Sequence, residues 1–164
     1  IKVISSKWRP VKVRMENLSE PEVIGLTNFP LPSFEGSPWA GGPPLSQRRV
    51  AIVSTAGLQR LEDNTFTRQS GDYRVLPKEL AASDIFMSHL STNFDRTGFQ
   101  QDVNIVFPID RLKELEGEGA IGSVADFHYS FMGAIAPEQM ESSARRVAGL
   151  LKDDGVDAVL LCPV

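Results

Sequence analysis

The sequence predicts an α/β domain: a mainly parallel sheet with flanking helices, in a Rossmann-like or flavodoxin-like three-layer arrangement. Short apolar runs rich in β-branched residues begin after residue 48, and helical patterns separate the last of these runs. This alternation is typical of parallel strands joined by right-handed crossovers. Prolines and glycines interrupt every regular pattern in residues 1–47, which we expect to form an extended, Pro-rich N-terminal arm. The α/β domain then spans residues 48–164.

The predicted strands are apolar runs that end at turn or polar residues, and they lie at Val50–Val53, Tyr73–Leu76, Asp84–His89, Ile121–Phe127 and Val156–Leu161. Residues 59–71 are polar and predicted to be irregular. The segment Val103–Phe107 fits either a strand or a buried loop. In the closing strand, Val156 and the run Ala158–Leu161 are apolar, as a strand covered on both faces requires. It delivers Cys162 to the end of the sheet, and Pro163 ends the pairing because it has no N–H.

Two helices are predicted between these strands. Pro108 suits the first position of one helix, and Gly117 and Gly119 end that helix. Pro137 begins the other helix, and Gly155 ends it. Its apolar stripe recurs at helical spacing and comprises Met140, Ala144, Val147 and Leu151.

Composition excludes several classes of protein. The 164 residues carry a net charge of −4 with scattered basic residues, which does not favour nucleic-acid binding. No apolar run approaches the roughly 18 residues of a membrane span. Cys162 is the only cysteine, so an internal disulfide is impossible, and we expect a cytoplasmic location. No histidine or cysteine spacing suggests a metal site.

The candidate site lies where the predicted strands end, since ligands of parallel sheets bind beyond the carboxyl ends of the strands. The residues with reactive or titratable side chains at those ends are Cys162, His128 and His89. Candidate substrate contacts are Ser54, Thr55, Asn93, Asp95, Arg96, Asp126 and Tyr129. Plainer readings stay open at this point. A lone cysteine also serves as a small core residue, His128 as a packed histidine, and Asp95 with Arg96 as a loop ion pair.

Four stretches carry a resemblance to a known family, and they are Arg49–Gly57, Ser88–Asp95, Ile121–Gly133 and Asp154–Leu161. They resemble the selenoprotein B subunits of the glycine, betaine, sarcosine and D-proline reductase family. The resemblance implies a thiol- or selenol-dependent reductase subunit that reductively cleaves a C–N bond of a small amino-acid-like substrate. It also implies a homo- or hetero-oligomer with a partner subunit that carries a pyruvoyl group, or with another reductase subunit, and no cofactor bound by this chain.

The resemblance implies specific roles for the site residues. The family's reactive residue is selenocysteine, or cysteine in some relatives, and is expected directly after Val164. Cys162 would then be the resolving thiol of a C-x-x-U or C-x-x-C motif. His128 or His89 would protonate the leaving amine or stabilise the thiolate. Because a selenocysteine codon otherwise means stop, we expect the chain as given to be truncated there and catalytically incomplete.

Two other functions fit parts of the sequence. A cysteine-dependent amino-acid isomerase or racemase also places a cysteine after a buried strand. That chemistry normally needs an opposing acid or base, and the chain has no second cysteine. The chain as given is also compatible with a non-catalytic, truncated assembly partner.

Overall fold

A computed structural model describes residues 15–28, 33, 36, 39–91 and 96–164. The chain divides into two units, residues 1–36 and residues 37–164. In the first unit, a 3₁₀ turn at Met15–Asn17 precedes helix α1, Glu20–Thr27. The Glu22 carboxylate accepts a hydrogen bond from the Ser19 amide at 2.8 Å, which caps the helix. The sequence prediction of an extended arm missed this helix, whose proline lies in the first turn, where proline is tolerated.

The second unit contains the remaining elements. In chain order its strands and helices are β1 (Arg49–Ser54), β2 (Leu58–Arg60), β3 (Tyr73–Pro77), β4 (Ile85–Met87), α2 (Thr97–Gln101), α3 (Ile109–Gly117), β5 (Ser123–Val124), β6 (Phe127–Phe131), α4 (Pro137–Asp153) and β7 (Ala158–Cys162). Short 3₁₀ turns lie at Leu45–Gln47, Ala82–Asp84 and Val103–Ile105. The last of these turns agrees with a buried loop, one of the two interpretations left open for that segment.

The main sheet is mostly parallel, as predicted. Strand β1 pairs in parallel with β5, β6 and β7, and β3 pairs antiparallel with β6. Strands β5 and β6 follow one another along one side of β1, while β7 pairs with the other side from Val50 to Ser54. The mixed α/β class is therefore confirmed, and the finer Rossmann-like or flavodoxin-like topology stays a prediction.

Helices cover both faces of the sheet, because successive β1 side chains point to opposite faces. Val50 and Ile52 belong to an apolar cluster with Ile109 and Leu112 of α3. Ala51, which lies between them, belongs to a second cluster with Val147 and Leu151 of α4. Both predicted helices are confirmed, although Pro108 caps α3 just before its first residue.

Three strand predictions need correction. The strand expected at Asp84–His89 is the shorter β4, and it pairs with β2 in a separate two-stranded antiparallel sheet. Strand β2 was not predicted, because three residues carry too little pattern. The single strand expected at Ile121–Phe127 is split into β5 and β6 at Ala125–Asp126. His128 consequently lies inside a strand and not after one.

The closing strand β7 is also less buried than predicted. Val159 is 41%, Leu160 38% and Leu161 69% exposed. Within the described ranges β7 pairs only with β1, so it forms an edge of the sheet. An apolar run indicates that both faces can be buried, but it does not reveal how many neighbours the strand has. None of the helices in the described part of the chain is long and apolar enough to span a membrane.

Candidate functional site

The carboxyl ends of β1, β6 and β7 meet at one edge of the sheet, because these strands are parallel. Ser54 lies beside Cys162 in register, and the next amide, of Thr55, donates to the Cys162 carbonyl at 3.1 Å. Gly133 follows β6 and packs so closely on Thr55 that an added Cβ would lie 2.6 Å from the Thr55 Cβ. Thr55 and Cys162, both predicted site residues, are therefore brought together.

A cleft of about 290 Å³ opens beside this junction. Its walls come from three segments. The lining residues are Arg68, then Leu90 and Ser91 after β4, and then Met132 and Ala134 on either side of Gly133. The cleft thus lies at the edge where the sequence predicted a site.

Arg68 supplies the charge of this cleft, and the sequence analysis missed it. Its side chain is exposed and makes no ion pair within the described ranges. Arg68 belongs to residues 59–71, which were predicted to be irregular. An arginine among so many polar residues gives no functional signal in the sequence. An arginine at a cleft wall is suited to bind a carboxylate with two parallel hydrogen bonds.

Cys162 is half-buried and packs against the apolar cluster on the α3 face of the sheet. Burial raises the pKa of its thiol. The side chain is accordingly a thiol at neutral pH and a weak nucleophile in this environment. Reactive cysteines that attack substrates usually show the opposite shift, caused by a nearby cation or helix N-terminus.

His128 is fully buried in the interior of the sheet. Its Nδ1 accepts a hydrogen bond from the Ile52 amide at 3.0 Å, and its ring makes an edge contact with Phe107 at 5.5 Å. Burial lowers the pKa of His128 to about 4, and the opposing effect of Asp154 is smaller. The ring is therefore neutral at pH 7. Strand β1 lies between His128 and the strand that carries Cys162.

His89 lies nearer the cleft, directly before Leu90 and Ser91. Its Nδ1 accepts a hydrogen bond from the Ser91 amide at 3.2 Å. Gly57, at φ +66°, packs against His89 so tightly that an added Cβ would lie 2.9 Å from the backbone nitrogen of His89. Burial and, secondarily, the nearby Arg96 guanidinium lower the pKa of His89. Of the two histidines, this one lies at the predicted edge.

The Arg96 guanidinium donates to the backbone carbonyls of His89 and Ser91. The sequence predicted Arg96 as a substrate contact or as the ion-pair partner of Asp95. Asn93 and Asp95 lie outside the described residues.

The other predicted contacts lie away from the cleft. The buried Ser54 hydroxyl donates to the Val106 carbonyl at 2.9 Å. Tyr129 is buried in the cluster on the α4 face of the sheet. Asp126 lies at the break between β5 and β6, where it forms an ion pair with Arg49 at 3.1 Å. Asp126 thus follows a strand, as predicted, but that strand, β5, pairs with the start of β1 and not with its carboxyl end. In the described part of the chain, no group of three or more His, Cys, Asp or Glu side chains is arranged to hold a metal ion.

Comparison with known proteins now identifies the class. The family model for glycine/sarcosine/betaine reductase selenoprotein B matches residues 5–163. The chain belongs to this family, as the resemblance in its sequence indicated. The match also covers residues 5–47, which lie before the four stretches that carried the resemblance.

Individual relatives are components of amino-acid reductases. The chain is 35% identical to D-proline reductase subunit gamma of Acetoanaerobium sticklandii over 71% of this chain and 49% of the relative. It is 28% identical to glycine reductase complex component B subunit gamma of Carboxydothermus hydrogenoformans, over 92% and 34% of the two chains. It is 30% identical to sarcosine reductase complex component B subunit beta of Peptoclostridium acidaminophilum, over 82% of this chain and 32% of the relative. The chain thus spans about a third to a half of the length of these relatives. No solved structure gives a significant match.

Proposed function

We propose that the protein is a component of a cytoplasmic reductase complex that cleaves a C–N bond of a small amino-acid-like substrate. The observation that carries this proposal is the junction of Thr55 and Cys162 beside the cleft, in a chain of the selenoprotein B family. The relatives are named as components that act in glycine, sarcosine or D-proline reduction. Redox chemistry is proposed at this edge of the sheet.

Cys162 is proposed as the resolving thiol of a motif that begins Cys162-Pro163-Val164 and continues with selenocysteine or cysteine. Its half-burial and raised pKa support a resolving role over an attacking one. A protonated, recessed thiol reacts slowly with substrate, yet it can react with an adjacent chalcogen once an intermediate forms. The pairing of two chalcogens at this spacing allows the intermediate to be resolved within one chain.

The proposed chemistry uses the two electrons of the reduced pair. The selenolate or thiolate displaces the substrate nitrogen: a carbon–chalcogen bond forms, the C–N bond breaks, and the amine leaves with a proton. The Cys162 sulfur then attacks the chalcogen, so that a sulfur–chalcogen bond forms and the carbon–chalcogen bond breaks. The carbon keeps the electron pair and takes a proton. An external dithiol finally reduces the sulfur–chalcogen bond.

Arg68 is proposed to hold the substrate carboxylate, in place of Arg96, which the sequence predicted as a substrate contact. Arg68 lines the cleft, whereas the Arg96 guanidinium is bonded to backbone carbonyls. The cleft of about 290 Å³ is large enough for a glycine- or proline-sized molecule. Leu90 and Met132 supply apolar walls against which the substrate carbons pack.

His89 is proposed as the histidine that serves proton transfer to the leaving amine, because the two residues that follow it line the cleft. His128 is proposed to have a structural role, since its ring is bonded to the β1 backbone inside the core. The complex is proposed to include a second reductase subunit, one that carries a pyruvoyl group for amine substrates.

The test is an assay on the complex purified from its natural source. With a dithiol as reductant, we expect cleavage of the C–N bond in at least one of four substrates. The products are a free amine from glycine, sarcosine or betaine, and an open-chain amino acid from D-proline, whose nitrogen stays in the product. Selenium content and intact mass should show whether selenocysteine or cysteine follows Val164. A pure complex that cleaves the C–N bond of none of the four substrates would contradict the proposed function. Another residue at that position would contradict the proposed motif.

A further inference from the structure

The side chain of Thr55 is bonded to the backbone that follows Cys162. Its Oγ1 accepts a hydrogen bond from the Val164 amide at 2.8 Å and lies 3.4 Å from the Val164 carbonyl oxygen, to which it donates. The Thr55 amide donates to the Cys162 carbonyl at 3.1 Å. One residue at the end of β1 therefore holds both ends of the tripeptide 162–164.

The Val164 amide is the next donor of β7 that would face β1. Because the Thr55 amide donates to the Cys162 carbonyl, a continued parallel ladder would place the Val164 amide on the Thr55 carbonyl, and Pro163, the residue between them, does not face β1. The Val164 amide bonds the Thr55 side chain instead. A hydroxyl both donates and accepts. The Thr55 hydroxyl can thus satisfy the amide and the carbonyl of Val164, and it stands in for the backbone partner that the ladder lacks.

Gly133 holds Thr55 from the opposite side. At Gly133 φ is +75°, and an added Cβ would lie 2.6 Å from the Thr55 Cβ and 3.0 Å from the Thr55 carbonyl oxygen. Real Cβ atoms do not approach so closely, so only glycine permits this packing. Thr55 is wedged between the end of β6 and the end of β7, and its hydroxyl is directed at Val164.

We infer that Thr55 is a positioning residue that fixes the backbone of Cys162–Val164 and with it the geometry of the redox motif. The inference about redox geometry rests on the proposed function, whereas the hydrogen bonds do not. The role differs from the substrate contact expected from the sequence, because the Thr55 hydroxyl is bonded to the chain itself. Holding the Cys162 backbone keeps its sulfur at a constant separation from the position after Val164.

The hydrogen bonds are tested with two substitutions and a control. Thr55→Val keeps the shape and removes the hydroxyl, Thr55→Ser keeps the hydroxyl, and Thr65→Val changes an exposed threonine in the same unit. We expect Thr55→Val to speed hydrogen exchange at the Val164 amide by about fivefold to tenfold, the effect of losing about one net hydrogen bond. Alkylation of Cys162 should accelerate by a similar factor, because the released strand end exposes the thiol.

Thr55→Ser and Thr65→Val should leave both rates near those of the wild type. Wild-type rates in Thr55→Val, or equal effects of the Val and Ser variants at position 55, would overturn the inference. Far-UV and near-UV circular dichroism identify a variant that fails to fold. In that event the Thr55→Ser exchange rate decides, since the inference predicts protection of the Val164 amide as in the wild type.

The redox role has a separate readout in the reductase complex. We expect Thr55→Val to lower kcat with little change in KM, and Thr55→Ser to restore kcat. If Thr55→Val changes exchange and alkylation while the wild-type complex reduces no substrate, the hydrogen-bonded clamp is confirmed and its redox role is overturned with the proposed function. If the wild-type complex is active and Thr55→Val leaves kcat unchanged, the redox role alone is overturned.

Discussion

The imidazole Nδ1 of His128 accepts a hydrogen bond from the backbone amide of Ile52 at 3.0 Å, in the middle of the sheet. Ile52 has no register partner in β5 or β6, because these strands meet β1 on either side of it. The histidine ring therefore replaces the ladder bond that is lost at the break between them. An unsatisfied buried amide costs roughly 1 to 3 kcal/mol, so the ring stabilises β1 at this break.

Stability should fall in acid because of His128. Its pKa in the folded protein is about 4, below the unfolded value of 6.5, so the unfolded state binds the proton more readily. The stabilisation is complete above the unfolded pKa and is lost as the pH falls toward 4. Between about pH 7.5 and about pH 5, the free energy of unfolding should fall by about 2 kcal/mol from this group.

Urea unfolding at the two pH values measures this change. His128→Asn, which keeps a side-chain acceptor for the Ile52 amide, should flatten the pH dependence by that amount. The corresponding change at the less buried histidine, His89→Asn, should flatten it less. Equal pH dependence in the wild type and in His128→Asn would show that His128 does not cause the acid sensitivity.

Two glycine-to-alanine substitutions should change the free energy of unfolding in opposite directions. Gly133→Ala forces a side chain into a positive-φ position against Thr55, and we expect a loss of at least about 1 kcal/mol. Gly149→Ala lies in α4 with nothing within 4 Å of the added Cβ, and it should gain roughly 0.5 to 1 kcal/mol of helix stability. Denaturation midpoints measure both changes. A neutral Gly133→Ala would mean that the end of β6 does not clamp Thr55.

Arg68 should govern substrate affinity. Arg68→Gln removes the proposed carboxylate ligand, and we expect KM to rise by about tenfold to a hundredfold, because a charge-assisted hydrogen bond contributes roughly 1.5 to 3 kcal/mol. The control is Arg111→Gln, since Arg111 is exposed on α3 and pairs with Glu114. Steady-state kinetics of the reductase complex give the values. An unchanged KM in Arg68→Gln would remove Arg68 from the site.

The thiol of Cys162 should titrate above its ordinary range. Burial raises the pKa of the Cys162 thiol, so its alkylation should be slow at neutral pH and should reach its midpoint at a higher pH than that of an unburied thiol. The pH profile of iodoacetamide modification measures this directly, with the free thiol of N-acetylcysteine as the reference compound. A midpoint below that of the reference compound would contradict the effect of burial.

Regular patterns explain which parts of the fold were predictable. Helix α4 has a clear helical repeat and β1 a compact apolar, β-branched run, and the parallel order followed from the alternation of strand and helix. The break at Asp126 was hidden, because apolar residues flank it on both sides, Val124 and Ala125 before it and Phe127 after it. The exposure of β7 was hidden as well, since the sequence of a strand does not indicate how many strands pair with it.

The site was predictable only in outline. Parallel topology brought Thr55 and Cys162 to the same edge, as the sequence indicated. No signal in the sequence indicated Arg68, because its place in the cleft depends on segments that are distant in sequence and come together only in the fold. The bond between Thr55 and Val164 joins residues 109 positions apart and depends on tertiary packing alone. Pro163 gave a partial clue, since it directly follows the last residue of β7.

The resolving role of Cys162 is tested most directly by intact-mass analysis of a Cys162→Ser reductase complex after one turnover. The complex is fully reduced, freed of external dithiol and mixed with substrate. We predict that the variant releases amine but keeps the substrate carbon as a covalent adduct on the reactive residue, whereas the wild type releases both and forms a sulfur–chalcogen bond. Release of the carbon product by Cys162→Ser as in the wild type, with no adduct, would contradict the account.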